Sequence, residues 1–179
     1  VAAAALSGVI LQLGELTQAE SAPLTRRPER VELRALVTEI ATALEVLSRE
    51  RGVTVDVTGP EAVVTGDRGQ LIRAIRNVIT NAIQHAPPGS AVEVGITAAP
   101  RPALRIRDRG PGIAAEDLPY VFERFYRADR SRGTAPGSGV GLTVARELVA
   151  ANGGSIEVET TGPDGTTFRI ELPPADHAA

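Results

Sequence analysis

Asp108 and the glycines that follow it are the residues of this chain best suited to hold a ligand. Residues 108–113 read Asp-Arg-Gly-Pro-Gly-Ile, and residues 137–142 read Gly-Ser-Gly-Val-Gly-Leu. Glycine lets backbone N–H groups approach a ligand that a Cβ would block, and N–H groups at a helix N-terminus bind anions such as phosphate. The Asp108 carboxylate can accept a hydrogen bond from the exocyclic amine of a base. Together the two segments predict a site for a purine nucleoside triphosphate.

Two asparagines upstream add a possible metal ligand. Asn77 and Asn81 are four residues apart in an apolar helical pattern, so they share one helix face. Asparagine is a poor helix former, and its neutral amide oxygen suits Mg²⁺ beside phosphates. The simpler alternative is a solvated helix face. The presence of both glycine segments in the same chain favours the metal interpretation.

The order and spacing of these segments resemble the catalytic, ATP-binding domain of bacterial sensor histidine kinases, within the GHKL ATPase superfamily. Residues 165–168 and 171–173 resemble the closing strand of that domain, and the similarity covers roughly residues 31–173. The four segments that match the motifs of the family are the N box at 73–86, the G1 box at 108–113, the F box at 121–127 and the G2 box at 137–142.

The resemblance implies a role for each site residue at the base end. Asp108 is expected at the adenine amino group with Thr166 or Thr167 nearby, and Gly110 and Gly112 are expected to turn the chain beneath the base. The β-propensity of threonine is an equally good reason for either threonine to be there.

At the phosphate end, the resemblance implies that Asn81 binds Mg²⁺ and that Asn77 supports the metal or the phosphates. The G2 box is expected to present backbone amides to the phosphates, through Gly137, Gly139, Gly141 and Leu142. The implied cofactors are ATP and Mg²⁺.

The segment between the G1 and G2 boxes is expected to form a lid over the nucleotide. The resemblance implies that Phe122 and Phe125 anchor this lid, which should be most mobile over residues 116–136 and slow its hydrogen exchange when nucleotide binds. Arg127 matches an arginine that reaches the terminal phosphate, where it stabilises charge during phosphoryl transfer. The alternative for Arg127 is a solvated position in a basic loop.

The chain departs from the family pattern in two places. Gln84 stands where many members carry a basic residue facing the phosphates, so nucleotide affinity is in question but the fold is not.

The only histidines are His85, inside the N box, and His177, near the end of the chain, and neither lies in the box that carries a phosphoacceptor. His85 could contact the nucleotide, but a favourable position at a helix C-terminus is the better explanation of this residue. The phosphoacceptor is therefore expected on a dimerisation domain in a longer protein or in a separate chain.

Three functions compete within the superfamily. A histidine kinase would transfer phosphate, whereas hydrolysing members and anti-sigma serine kinases place a glutamate base one turn before the metal-binding asparagine. That position is Asn77, and an amide is too weak a base to activate water. The sequence therefore favours phosphoryl transfer, and a non-catalytic nucleotide-binding interaction module is the alternative.

Composition limits the partners. With 179 residues, a net charge of −3 and no cysteine, the chain gives no reason to expect nucleic acid, disulfides or thiolate metal sites. No apolar run reaches membrane-spanning length, so direct membrane contact is not expected. The resemblance implies a cytoplasmic domain, a parent anchored in the inner membrane, and a response regulator as an indirect partner.

The pattern of elements predicts a two-layer α/β sandwich, with three main helices on one face of a mixed sheet. The predicted helices cover 31–51, 67–85 and 139–152, and the predicted strands cover 53–57, 62–65, 91–97, 103–107, 155–160 and 166–172. The predicted organisation is a remnant of the last helix of the dimerisation hairpin at 1–20, a linker at 21–30, the ATP-binding domain at 31–174 and a loose tail at 175–179.

Overall fold

The computed structural model describes residues 27–126 and 139–175, which contain seven strands and four α-helices. The strands are β1 (Glu29–Glu32), β2 (Thr54–Thr58), β3 (Val63–Gly66), β4 (Ala91–Thr97), β5 (Ala103–Arg107), β6 (Ser155–Gly162) and β7 (Gly165–Glu171). The helices are α1 (Leu33–Ala43), α2 (Glu45–Arg51), α3 (Arg68–His85) and α4 (Gly141–Ala151), with a 3₁₀ turn at Leu118–Tyr120.

Five strands form the main sheet, in the order β2-β4-β5-β7-β6. Strands β2 and β4 are parallel and every other pair is antiparallel, so the sheet is mixed, as predicted. Alternate residues of β4 and β5, including Val94 and Ile106, are buried in one core with the apolar faces of the helices. The opposite face carries ion pairs such as Arg105–Glu159, which stabilise little because they are partly exposed. The predicted α/β sandwich is confirmed.

Helix α3 follows from strong local signals. The side chain of Asp67 caps it by accepting a hydrogen bond from the Gln70 N–H at 3.0 Å. The helix ends before Ala86, whose extended backbone suits the residue that precedes Pro87. Its core face is fully apolar, with Leu71, Ala74, Ile75, Val78, Ile79, Ala82 and Ile83 buried. This helix carries the asparagine pair, and its rigidity fixes where the pair lies.

The prediction of one helix over residues 31–51 is wrong. Strand β1 occupies 29–32, and the helical segment is interrupted at Leu44, which has φ −93° and ψ 3°. Thr38 and Thr42 donate side-chain hydrogen bonds to the carbonyls four residues earlier, at 2.8 and 2.9 Å. Such back-bonding bends helices, and both bonds lie in α1 before the interruption at Leu44.

Both edges predicted for the ATP-binding domain also differ in the structure. Glu29 and Arg30 were expected in the linker, but they pair with β3 in a separate two-stranded sheet. Ala175 was expected in the loose tail, but it is buried and donates to the Val63 carbonyl at 3.0 Å. In both places the backbone hydrogen bonds go to a distant segment, which local composition does not reveal. Residues 1–26 and 176–179 lie outside the described residues.

None of the helices in residues 27–126 and 139–175 is long and apolar enough to cross a membrane.

Candidate nucleotide-binding site

The base end of the site is built around Asp108, which follows β5. Its side chain is only 2% exposed, and its Oδ1 atom accepts a hydrogen bond from the Gly110 N–H at 2.7 Å. Its own backbone N–H donates to the Thr166 carbonyl in β7 at 3.0 Å. The G1 box and the closing strand therefore both fix the position of Asp108. The two oxygens of a carboxylate offer about four acceptor positions, so Asp108 can accept a further hydrogen bond from a base beside those from the backbone.

Burial raises the pKa of the Asp108 carboxyl above the ordinary aspartate value, and hydrogen bonds from the backbone oppose that shift without cancelling it. Removal from water disfavours the charged form, and this is the largest cause. A buried, charged carboxylate lowers the stability of the folded protein, and buried carboxylates with a shifted pKa are typical of binding sites.

Gly110 and Gly112 lie where a side chain cannot. A Cβ on Gly110 would come within 2.6 Å of the His85 carbonyl oxygen, at the end of α3. Gly112 has φ +79°, and a Cβ there would overlap the Gly162 carbonyl oxygen in the β6–β7 hairpin. The two glycines let the G1 box run close to α3 on one side and to the hairpin on the other.

We expect Gly112→Ala to lower the free energy of unfolding more than Gly89→Ala does. Both residues have positive φ, +79° and +83°, but a Cβ on Gly89 meets no atom within 4 Å. The backbone conformation alone should cost about 1–2 kcal/mol in each variant, and overlap with Gly162 should add about 1–3 kcal/mol in Gly112→Ala. Urea unfolding of both variants measures the difference. Equal losses would show that the close packing at Gly112 carries no energetic weight.

The phosphate end is formed where α3 meets the N-terminus of α4. The Asn77 Nδ2 donates to the Gly141 carbonyl at 3.2 Å, which joins the N box to the G2 box. Helix α4 runs for 11 residues, and its N-cap residue, Val140, forms no side-chain cap. Among the described residues, the first N–H groups of the helix therefore suit an anionic group. Gly139 has φ +70°, and Leu142 packs against the core beside it.

Asn81 lies one helical turn beyond Asn77 and is half-buried. Asn77 and Asn81 share one face of α3, and this face contacts α4 at Asn77. His85 is the last residue of the same helix and lies beside Gly110. At 1.5 Å per residue, Asn77 and His85 are about 12 Å apart along α3. The base and phosphate ends therefore lie at separate points along one helix, with Asn81 between them. This donor set fits a nucleotide with a metal ion near its phosphates.

The described residues at the start of the predicted lid are held by α4 and by the core. Phe122 packs edge-on against Phe168, with ring centroids 6.3 Å apart, and its carbonyl accepts a hydrogen bond from the Thr143 hydroxyl at 3.0 Å. Phe122 is thus fixed against the core and α4, and its role as the anchor of a lid stays a prediction. Phe125 differs from the prediction because its ring is 65% exposed. It is held by its backbone N–H, which donates to the Gly139 carbonyl at 3.0 Å.

The remaining predicted site residues are placed as follows. Thr166 is buried beside Asp108, on the base side, whereas Thr167 pairs with Arg107 in the sheet. Arg127 and Gly137 lie outside the described residues.

Thr161 was missed by the sequence reasoning. Its hydroxyl lies 3.0 Å from that of Thr166 and accepts a hydrogen bond from the Ile113 N–H at 2.8 Å. It therefore links the G1 box to the closing hairpin. Two pairs of threonines, 160–161 and 166–167, flank the hairpin turn in the sequence. Cross-strand pairing of threonines is the signal that could have identified this contact.

The fold and the candidate site together indicate a nucleotide-binding α/β sandwich, and the two ends of the candidate site lie along one helix. The chain belongs to the family of histidine kinase-, DNA gyrase B- and HSP90-like ATPases, whose model matches residues 66–176. The resemblance to sensor histidine kinases drawn from the sequence motifs is confirmed by the relatives below.

The sensor protein SphS of Synechococcus elongatus is 38% identical over 181 residues, covering 94% of this chain and 43% of SphS. The solved structure of the mycobacterial sensor histidine kinase MprB is 32% identical with a TM-score of 0.70, covering 84% of this chain and all of that one. Full-length ShkA in complex with AMPPNP is 27% identical with a TM-score of 0.73, covering 88% of this chain and 33% of ShkA. The chain thus spans less than half of the curated relative SphS.

Proposed function

We propose that this chain is the Mg-ATP-binding catalytic domain of a two-component sensor histidine kinase. It transfers the γ-phosphate of ATP to a histidine on a dimerisation domain, either elsewhere in a longer protein or in a separate chain. The P–O bond to the β,γ-bridging oxygen breaks, a P–N bond forms to the acceptor imidazole, the imidazole releases its N–H proton to solvent, and ADP is released. The observation that carries this proposal is the Asn77–Gly141 hydrogen bond, which brings the N and G2 boxes together on the helix that ends beside Asp108 and Gly110.

Each residue has a part in the proposed reaction. Asp108 orients the base, and the backbone amides at Gly139 and Gly141 bind the phosphates. Asn81 holds the metal ion, which neutralises charge on the phosphates when it is bound. Arg127 stabilises the charge that develops on the transferred group. ShkA, a relative of this chain, was solved with the ATP analogue AMPPNP, which supports adenine nucleotide as the ligand.

Titration calorimetry with Mg-ATP tests the binding step directly. We expect a dissociation constant in the micromolar to millimolar range, about −4 to −8 kcal/mol. The uncharged Gln84 on α3 favours the weaker part of that range. Mg-GTP should bind much more weakly, because the carbonyl at position 6 of guanine has no proton to donate to Asp108. Absence of binding at millimolar Mg-ATP, or equal affinity for GTP, would contradict the proposal.

Hydrolysis is less well supported than phosphoryl transfer. In the hydrolysing members the residue at position 77 would be a glutamate base, but here it is an amide whose Nδ2 donates to the Gly141 carbonyl. An amide cannot take a proton from water at neutral pH. A non-catalytic nucleotide-binding module shares the same binding site, and the two are separated by the labelling experiment in the Discussion.

The proposed partners follow from the proposed reaction. A histidine-bearing dimerisation domain receives the phosphate, and a response regulator is the indirect recipient. We place the reaction in the cytoplasm, and no nucleic acid or membrane contact is part of it.

A further inference from the structure

Asn152 is a fully buried polar residue outside the site described above. It follows α4 directly, and its side chain has 0% exposure. Its Oδ1 accepts a hydrogen bond from the Asp67 N–H at 2.8 Å, and its Nδ2 donates to Gln70 Oε1 at 2.9 Å and to the Leu148 carbonyl at 2.8 Å. Both amide hydrogens and one acceptor position are therefore in use. Two of these bonds reach the start of α3, more than 80 residues earlier in the chain.

The two helices joined by Asn152 are the two that form the phosphate end of the site. Asn152 joins the C-terminus of α4 to the start of α3. The Asn77–Gly141 hydrogen bond joins the N-terminus of α4 to the middle of α3. The helices are therefore antiparallel, with one amide side chain joining them near each end. Between these points, Ala145 and Val149 of α4 belong to the same apolar core as the buried face of α3.

Apolar packing and amide hydrogen bonds constrain a helix pair differently. Apolar burial is non-directional, so it permits small shifts along the helix axis at little cost. Hydrogen bonds weaken steeply when their distance or angle changes, and a buried amide that loses its partners is costly. Asn152 therefore fixes the position of α4 along α3. Because α4 is a continuous helix, the same constraint fixes its N-terminal amides relative to Asn81.

We propose that Asn152 is a positioning residue for the phosphates and metal of the bound nucleotide, acting through the register of α4 against α3. This inference rests on the proposed function. The base end of the site is held separately, by the hydrogen bonds of Asp108 with Gly110 and Thr166. A shift of α4 should therefore weaken the binding of the triphosphate and leave the binding of the base unchanged.

The test compares adenosine with a Mg-bound, non-hydrolysable ATP analogue in three variants. Asn152→Ala removes all three side-chain bonds, Gln70→Ala removes only the bond from Nδ2 to Oε1, and Val37→Ala is the control for lost stability. Val37 is fully buried in α1, which is not one of the two helices that Asn152 joins. Ligand-observed NMR gives the adenosine affinity, calorimetry gives the analogue affinity, and Tm reports stability.

We expect the analogue affinity to fall about tenfold in Asn152→Ala and about threefold in Gln70→Ala, as for the loss of one or two ordinary hydrogen bonds. Adenosine affinity should change less than twofold in both, and Val37→Ala should lower Tm without changing either affinity. If Asn152→Ala does not fold, the milder Gln70→Ala carries the test. An equal loss for both ligands, or no loss of analogue affinity, would overturn this inference alone. Failure of the unmodified chain to bind the analogue would overturn the proposed function as well.

Discussion

Replacing Asp108 by asparagine should weaken the binding of ATP and ADP by about 10- to 100-fold, the effect of losing a hydrogen bond of about 1.5–3 kcal/mol to a charged group. The same change should make the free protein more stable at neutral pH. Asparagine has the same shape and can still accept from the Gly110 N–H, but it carries no charge to be removed from water. The two effects therefore have opposite signs in one variant, which a general loss of structure cannot produce.

Calorimetry with Mg-ADP and urea unfolding measure the two effects. Asp56→Asn is the matched control, because Asp56 is exposed on β2 and undergoes the same chemical change. The control should leave both affinity and stability unchanged. Unchanged nucleotide affinity in Asp108→Asn would remove Asp108 from the adenine site, whatever happens to stability.

The pH dependence of stability gives an independent check on the charge of Asp108. Because burial raises the pKa of Asp108 in the folded state, the folded protein binds its proton more tightly than the unfolded chain does. The contribution of Asp108 to the free energy of unfolding is therefore highest below the ordinary aspartate pKa of about 3.9. It declines as pH rises from there through the raised pKa. That decline should be absent from the unfolding curves of Asp108→Asn.

The sequence predicts most accurately the elements whose signals are local. Strands β4 and β5 have the predicted bounds, because alternating residues lie between clear turn residues. Helix α3 has a capping aspartate, an apolar face and a terminal proline pair, so both of its ends were predictable. The G1 and N boxes lie on or beside these elements. The two boxes therefore meet where the His85 carbonyl lies close to Gly110.

The sequence fails where a segment depends on distant partners. Strand β1 has a single buried residue, Val31, and exists because it pairs with β3. Asn152 precedes two glycines and looks like an ordinary helix end, yet its side chain bonds to Asp67 and Gln70. Pairing partners and buried polar contacts of this kind depend on how elements pack, and a single sequence carries little information on packing.

Phosphoryl transfer to a supplied acceptor should be lost when Asn81 is replaced by alanine. We expect the unmodified chain to label a separately supplied dimerisation hairpin that carries its histidine, using ATP labelled at the γ-phosphate. The rate should fall about 100-fold or more in Asn81→Ala, because loss of a metal ligand costs about 3 kcal/mol or more of transition-state stabilisation. Arg76→Ala, on the exposed face of the same helix, is the control and should label at the normal rate.

The role of Asn81 can be separated from a general loss of binding by removing the metal. In EDTA the variant and the unmodified chain should bind ATP with equal, weak affinity, and only added Mg²⁺ should distinguish them. A variant that loses affinity equally in EDTA and in Mg²⁺ would show that Asn81 contacts the nucleotide or supports the fold. Labelling at the normal rate in Asn81→Ala would exclude it from the metal site.

The chain alone should remain unlabelled in the same experiment. Its internal histidine, His85, ends α3, and its carbonyl lies against Gly110 at the base end of the site. The phosphate end lies near Asn77, about 12 Å away along the helix, so His85 cannot reach in-line geometry with its own γ-phosphate. Acid-labile phosphate on the isolated chain would contradict this arrangement, and its loss in His85→Ala would identify His85 as the acceptor. A hairpin that stays unlabelled while Mg-ATP binds would instead support a non-catalytic nucleotide-binding module.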